Sequence, residues 1–158
     1  MNSTTPHTRH LNFPSFGFLQ SLSILTRLIL FTGTVFFIIS LFFISLFTSS
    51  QDLQGIWLLL IGWIGLVFFQ FAWFANPLNL LALLLIKKQP ILALCLSIFA
   101  LILASQSINF SEIPIGINQE RIFIKEMGPG FYFWYVSHVL FLAAIAIETI
   151  MQTQKNED

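Results

Sequence analysis

An all-α, polytopic transmembrane helical bundle of about four spans is the fold class this sequence predicts. Three observations predict it. Hydrophobic residues make up 56% of the 158, charged residues only 9%, and the mean hydropathy is +0.84. A water-soluble domain of this length needs a polar shell, and seven basic with seven acidic residues are too few to build one. The apolar residues also gather in runs of roughly 20, the length that crosses a hydrocarbon core. The formal charge is zero, which gives no basic face for nucleic acid and no acidic patch. The single cysteine, Cys95, lies in an apolar run, so neither a disulfide within the chain nor a cysteine-based metal site can form.

Residues 1–27 read as a cytoplasmic tail with an interfacial segment. Pro6, Pro14 and Gly17 interrupt them, and the apolar stretch from Phe13 to Leu19 is too broken to cross a bilayer. The first span is expected at 28–47. Its Thr32, Thr34, Ser40 and Ser45 can return their hydroxyls to the carbonyls of their own helix. The region before it is too long for a signal peptide, and no Ala-x-Ala site follows, so the span is expected to remain uncleaved.

A short polar connection with Asp52 leads to a second apolar run, from Ile56 to Ile86. About 30 residues of helix would measure about 45 Å, more than a core of about 30 Å accommodates. The run is therefore expected to break at Asn76–Pro77, because a residue before proline is pushed out of helical geometry and Asn-Pro suits a new helix start. This gives a second span at 56–75 and a short helix at 78–86 that is interfacial, re-entrant or part of a kinked span. Pro90 starts a third span at 90–105.

An outer loop at 106–130 has the composition of a soluble segment. Its alternating Ile113, Ile115 and Ile117, then Ile122 and Ile124, fit a short hairpin, although two strands alone are marginal. Gly128-Pro129-Gly130 is expected to bar helix and end the loop. A fourth span at 131–151 and a tail at 152–158 complete the chain.

Lys87 and Lys88 are the topology determinants. With Arg9 and Arg27 they mark the cytoplasmic side, and the glutamate-richer 106–130 loop falls on the other. Both termini are then cytoplasmic. Trp57, Trp73, Tyr132, Trp134 and Tyr135 are the expected interface anchors, since Trp and Tyr favour the headgroup level. The small residues Gly62 and Gly65, and Ala143, Ala144 and Ala146, mark close helix-packing seams.

Five polar positions fall within the apolar segments. His138 is either a hydrogen-bonding contact between helices or a ligand or proton site, since an ionisable group inside a membrane helix is costly. No carboxylate shares its helix face and no second histidine lies in a span, so a metal site is not expected. Glu148, near the end of the fourth span, is expected to reach water at the headgroups. Gln70, Asn76 and Asn79 bracket the proposed break. They either line a wet cavity, as broken helices do in transporters, or sit at the inner interface, the reading favoured by the nearby lysines.

The chain has no Walker loop, no HExxH, no GxSxG and no paired carboxylates in its spans, so no enzyme activity and no cofactor are expected. The run Trp73-Phe74-Ala75-Asn76-Pro77-Leu78, with Gly128-Pro129-Gly130-Phe131-Tyr132-Phe133-Trp134, resembles small uncharacterised bacterial inner-membrane proteins with four predicted transmembrane helices. The resemblance covers the second half of the chain and implies a bacterial inner-membrane location, with no activity or ligand. The function expected is that of a non-enzymatic accessory or interaction subunit whose partners are the lipid bilayer and a membrane protein or further copies of itself. The alternatives are a small oligomeric channel or carrier, and an immunity protein against a pore-forming toxin.

Overall fold

The computed structural model describes residues 22–115 and 120–157. The expectations for the tail and interfacial segment at 1–21, and for Ile117 in the loop, lie outside those residues. The described chain is mostly helical, and three helices are long and apolar enough to cross a membrane: α1 (Ile24–Phe42), α4 (Pro90–Gln106) and α5 (Pro129–Glu157). Between them lie a seven-residue α2 (Gly55–Ile61) that runs on as 3-10 helix through Phe68, and α3 (Ala75–Leu85), preceded by a 3-10 turn at Ala72–Phe74.

The fold is not all-α. Strands β1 (Ile44–Thr48), β2 (Leu53–Gln54), β3 (Glu112–Ile115) and β4 (Glu120–Met127) form an antiparallel sheet in the order β2-β1-β4-β3. The β3–β4 hairpin pairs Ile113 with Ile122, and β1 adds to its free side with Leu46 opposite Met127. Two further strands supply what an isolated hairpin lacks. β1 is cut from the C-terminal end of the run assigned to the first span. Phe43 turns extended (φ −92°, ψ 156°) and stops α1. The helix instead starts four residues earlier, where Ser23 caps it by accepting from the Thr26 N–H at 3.1 Å.

Contacts fix the two ends of the molecule. Ser23 and Thr26 at the start of α1, Lys87 after α3, and Glu148 and Gln152 late in α5 meet in one cluster. The opposite end carries the sheet. Gly128 and Gly130, at the start of α5, lie so close to the chain at 43–45 that a Cβ on Gly128 would strike the Ile44 carbonyl oxygen and one on Gly130 the Ser45 hydroxyl and the Phe43 carbonyl oxygen. Pro129 occupies the first position of α5, where a missing N–H costs nothing, so Gly128-Pro129-Gly130 opens the helix rather than barring it. α5 packs along α1 on one side and α4 on the other, and α3 pairs with α4. Central placement leaves 39% of its apolar window buried, against 22% for α1 and for α4.

The second apolar run departs most from expectation. It does not break at Asn76–Pro77, because those residues fall inside the first turn of α3, where proline removes no helical hydrogen bond. The break is at Phe69–Gln70. Phe69 ends the 3-10 segment in the left-handed region (φ 59°), a helix-ending conformation more usual for glycine. The chain then folds back: Gln70 N–H donates to the Gly65 carbonyl at 2.9 Å, and Trp73 Nε1 donates to the Leu59 carbonyl at 2.8 Å. Gly62 and Gly65 permit this approach, since a Cβ on Gly62 would lie 2.5 Å from the Trp73 ring and one on Gly65 2.7 Å from the Gln70 carbonyl oxygen.

The segment Gly55–Phe68 therefore begins and ends at the sheet end. Gly55 lies against the Ser40 carbonyl at the end of α1. The reversal at 69–71 is held by Gln106 at the end of α4, whose amide accepts from Phe71 N–H at 2.8 Å and donates to the Phe69 carbonyl at 3.0 Å. Gln70 donates to the Glu112 carbonyl of β3 at 3.1 Å. The helical path from the sheet end to the Lys87 cluster is Ala72–Leu85, not the 56–75 span read from the sequence.

Candidate functional site

Two groups of polar side chains sit among the helices. At the end opposite the sheet, Glu148 is 3% exposed. One carboxylate oxygen accepts from Lys87 Nζ at 2.6 Å and from Gln152 Nε2 at 3.3 Å; the other accepts from the Thr26 hydroxyl at 3.0 Å and the Ser23 N–H at 3.2 Å. Water at the headgroups is not what satisfies it. The cluster ties the start of α1, the α3–α4 connection and the end of α5 at one point, and Lys88 remains exposed beside it.

The second group lies deeper, between α1, α3 and α5. His138, 1% exposed on the first half of α5, stands edge-on to Trp134 with ring centroids 4.6 Å apart. Phe141 lies one turn further along, at 6.3 Å. Among the described residues neither ring nitrogen of His138 has a hydrogen-bond partner. Asn79 on α3 is 2% exposed; its carbonyl oxygen accepts from the Ser97 hydroxyl of α4 at 2.8 Å, while its amide nitrogen has no partner among the described residues. Both residues line one cavity of about 390 Å³ whose remaining wall is largely apolar and includes Phe37, Leu59, Trp73 and Phe141. A second cavity of about 420 Å³ lies between the sheet and the folded-back 55–76 segment. Phe37, Leu59, Trp73 and Asn76 border both.

The other expected positions have structural partners. Asn76 is no helix cap: its amide donates to the Trp73 carbonyl at 2.9 Å and its oxygen accepts from Trp134 Nε1 at 2.9 Å, linking α3 to α5. Gln70 belongs to the reversal and does not meet Asn79. Of the aromatic anchors, Trp57 and Tyr132 are exposed at 54% and 59%. Trp73, Trp134 and Tyr135 turn their polar atoms inward instead, Tyr135 sharing a 2.8 Å hydrogen bond with Ser105 of α4.

Three contributors escaped the sequence reading. Gln152 stands one turn beyond Glu148 on the same face, a spacing that marks the pair in retrospect. Thr26 and Gln106 carry no such local signal, because their partners lie more than 30 residues away. Among the described residues no group of three or more His, Cys, Asp or Glu side chains could hold a metal ion. No protein-family model matches the chain, and comparisons with curated proteins and with solved structures find no match.

Proposed function

We propose that this chain is a non-enzymatic accessory or interaction subunit that crosses a bacterial inner membrane four times, with both termini in the cytoplasm and the sheet on the outer side. The observation that supports it is how the buried and half-buried polar side chains that pair with one another are used. Ser97 with Asn79, Trp134 with Asn76 and Tyr135 with Ser105 each join one helix to another, and Lys87 with Glu148 joins the α3–α4 connection to α5. Large apolar side chains, among them Phe31, Phe42, Val67 and Ile91 at 70% exposure or more, face outward. Such a division serves a framework held in lipid rather than a reaction centre.

The second crossing is Ala72–Leu85. Three residues of 3-10 helix and eleven of α-helix extend about 22 Å, short of a core of about 30 Å. Local thinning of the bilayer and the lysines that follow accommodate the difference. Lys87 and Lys88 support the orientation through the positive-inside rule. A channel would need a polar path, whereas both cavities have mainly apolar walls.

Orientation is tested by cysteine labelling in a Cys95→Ser background, with an impermeant maleimide on spheroplasts. Ser50→Cys is expected to react in intact spheroplasts and Lys88→Cys only after lysis. The reverse pattern inverts the orientation, and reaction of both in intact spheroplasts removes the second crossing. The role is tested by native mass spectrometry of the protein released from nanodiscs. A stoichiometric foreign membrane protein is expected; a homo-oligomer alone moves the reading to a channel or carrier.

A further inference from the structure

The cavity of about 420 Å³ between the sheet and the folded-back 55–76 segment is walled mainly by apolar side chains, among them Phe37, Leu41, Leu58, Leu59, Phe110 and Phe131. No charged side chain lines it. Most of the polar side chains on its wall are already engaged by the protein. The Ser40 and Ser107 hydroxyls donate to carbonyls one turn back, Trp73 Nε1 to the Leu59 carbonyl, Trp134 Nε1 to Asn76 and the Gln70 amide to the Glu112 carbonyl. An ordered water needs several polar partners, which this interior does not supply. A void would forfeit the dispersion contacts of its whole lining. An apolar occupant is what such a wall matches.

The borders of the cavity narrow the chemistry further. Ile61 and Ile64 belong to the wall and are 48% and 43% exposed, so the cavity reaches the outer apolar surface, where bilayer chains lie. Gln51 also belongs to it, and sits in the exposed polar turn 49–52 between β1 and β2. An occupant thus meets apolar walls along its length and an amide at the sheet end. Phe37, Leu59 and Trp73 border the neighbouring cavity too, and the apolar wall continues there to Leu83, which suits an extended chain better than a compact ring system. A free fatty acid would bring a carboxylate, for which neither cavity has a cation, and Asp52 adjoins Gln51. An ester carries no charge, and its carbonyl can accept from the Gln51 amide.

We propose that this cavity holds one acyl chain of a bilayer phospholipid, with the ester at Gln51 and the headgroup in the polar layer around the β1–β2 turn. The chain enters sideways, past Ile61 and Ile64. It fills the space between the sheet and the 55–68 segment, and so differs from the lipids that exchange freely over the outer faces of the helices. The inference rests on the reading of the chain as a membrane protein and is independent of any protein partner.

The test is native mass spectrometry of the full chain released from nanodiscs of palmitoyl-oleoyl phosphatidylethanolamine and phosphatidylglycerol, with collisional activation raised in steps. Loosely held lipids leave first, and one phospholipid per chain is expected to remain. Leu41→Trp and Leu58→Trp fill the cavity from two different walls. Each is expected to lower the lipid-bound fraction about tenfold, the equivalent of about two methylenes losing their burial. Ile91→Trp, on α4 at a position 71% exposed and outside the cavity wall, is expected to retain the lipid as the wild type does. Elution volume and circular dichroism identify a variant that has lost its fold, and the variant from the other wall then decides. Loss of all lipids by the wild type in one continuous series, retention undiminished in the folded cavity variants, or a retained mass that is a free fatty acid or a prenyl lipid would each overturn the proposal. Labelling that places Ser50→Cys and Lys88→Cys on opposite sides, together with no retained lipid, would sink this inference and leave the second crossing standing.

Discussion

Lys87→Met lowers the stability of the solubilised protein by about 3–5 kcal/mol, the expected cost of stripping a buried carboxylate of its counter-charge. The two members of the pair are unequally placed: the Glu148 side chain is 4% exposed and that of Lys87 26%. Without the ammonium, the donors left to Glu148 among the described residues are neutral: the Thr26 hydroxyl, the Ser23 N–H and the Gln152 amide. Without the carboxylate, Lys87, already partly exposed, can turn its ammonium outward on its aliphatic stem. Glu148→Gln should therefore cost less than Lys87→Met, and the double variant should be more stable than Lys87→Met alone. Thermal unfolding of the four proteins in one detergent measures this. Additive losses would show that the two groups are not coupled.

Gly128→Val is expected to be the next most damaging single change, at about 1–3 kcal/mol or more for forcing atoms into a filled space. The obstacle to a side chain there is the Ile44 backbone, which cannot turn aside as a rotamer would. The same closeness lets Gly128 N–H donate to the Ser45 carbonyl at 2.9 Å, so β1 and the start of α5 would part together. The sheet should then become sensitive to protease between Thr48 and Leu53 while the helical far-UV signal persists. Lys88→Val, at an exposed position, is the control expected to change neither. A protease pattern identical to wild type would mean that β1 is held by β4 alone.

Composition sufficed to show apolar helices of membrane-spanning length, because hydropathy integrates over a whole run and needs no partner. Pro90 was also legible, since proline tolerates the first helical turn by virtue of its own chemistry. The strand at Ile44–Thr48 was not. Its residues continue the apolar run of α1 without a break, and only pairing with β4, about 80 residues later, makes the extended form preferable. The site shows the same divide. His138 and Asn79 stood out as polar residues in apolar surroundings, but their meeting on one cavity depends on α3 and α5 being brought together. The solvated reading of Glu148 failed for a related reason: Lys87 lies 61 residues away in the chain and beside it in space.

The Phe69–Gln70 reversal bears on the order of events at the ribosome. Besides local bonds such as that from Gln70 N–H to the Gly65 carbonyl, it is held by Gln106, which bonds the Phe69 carbonyl and the Phe71 N–H, and by the Glu112 carbonyl, which accepts from the Gln70 side chain; these residues are translated 35 to 42 positions later. When residues 55–85 first leave the ribosome, the Phe69 carbonyl, the Phe71 N–H and the Gln70 side-chain amide have none of these partners. In lipid such groups favour the one structure that satisfies itself, a continuous helix. The nascent chain thus passes the reversal before it can hold it, and the hairpin forms after the fact, when α4 arrives with its terminal glutamine. The turn is thus completed by a residue made well after it, and a chain released before residue 106 should lack the reversal.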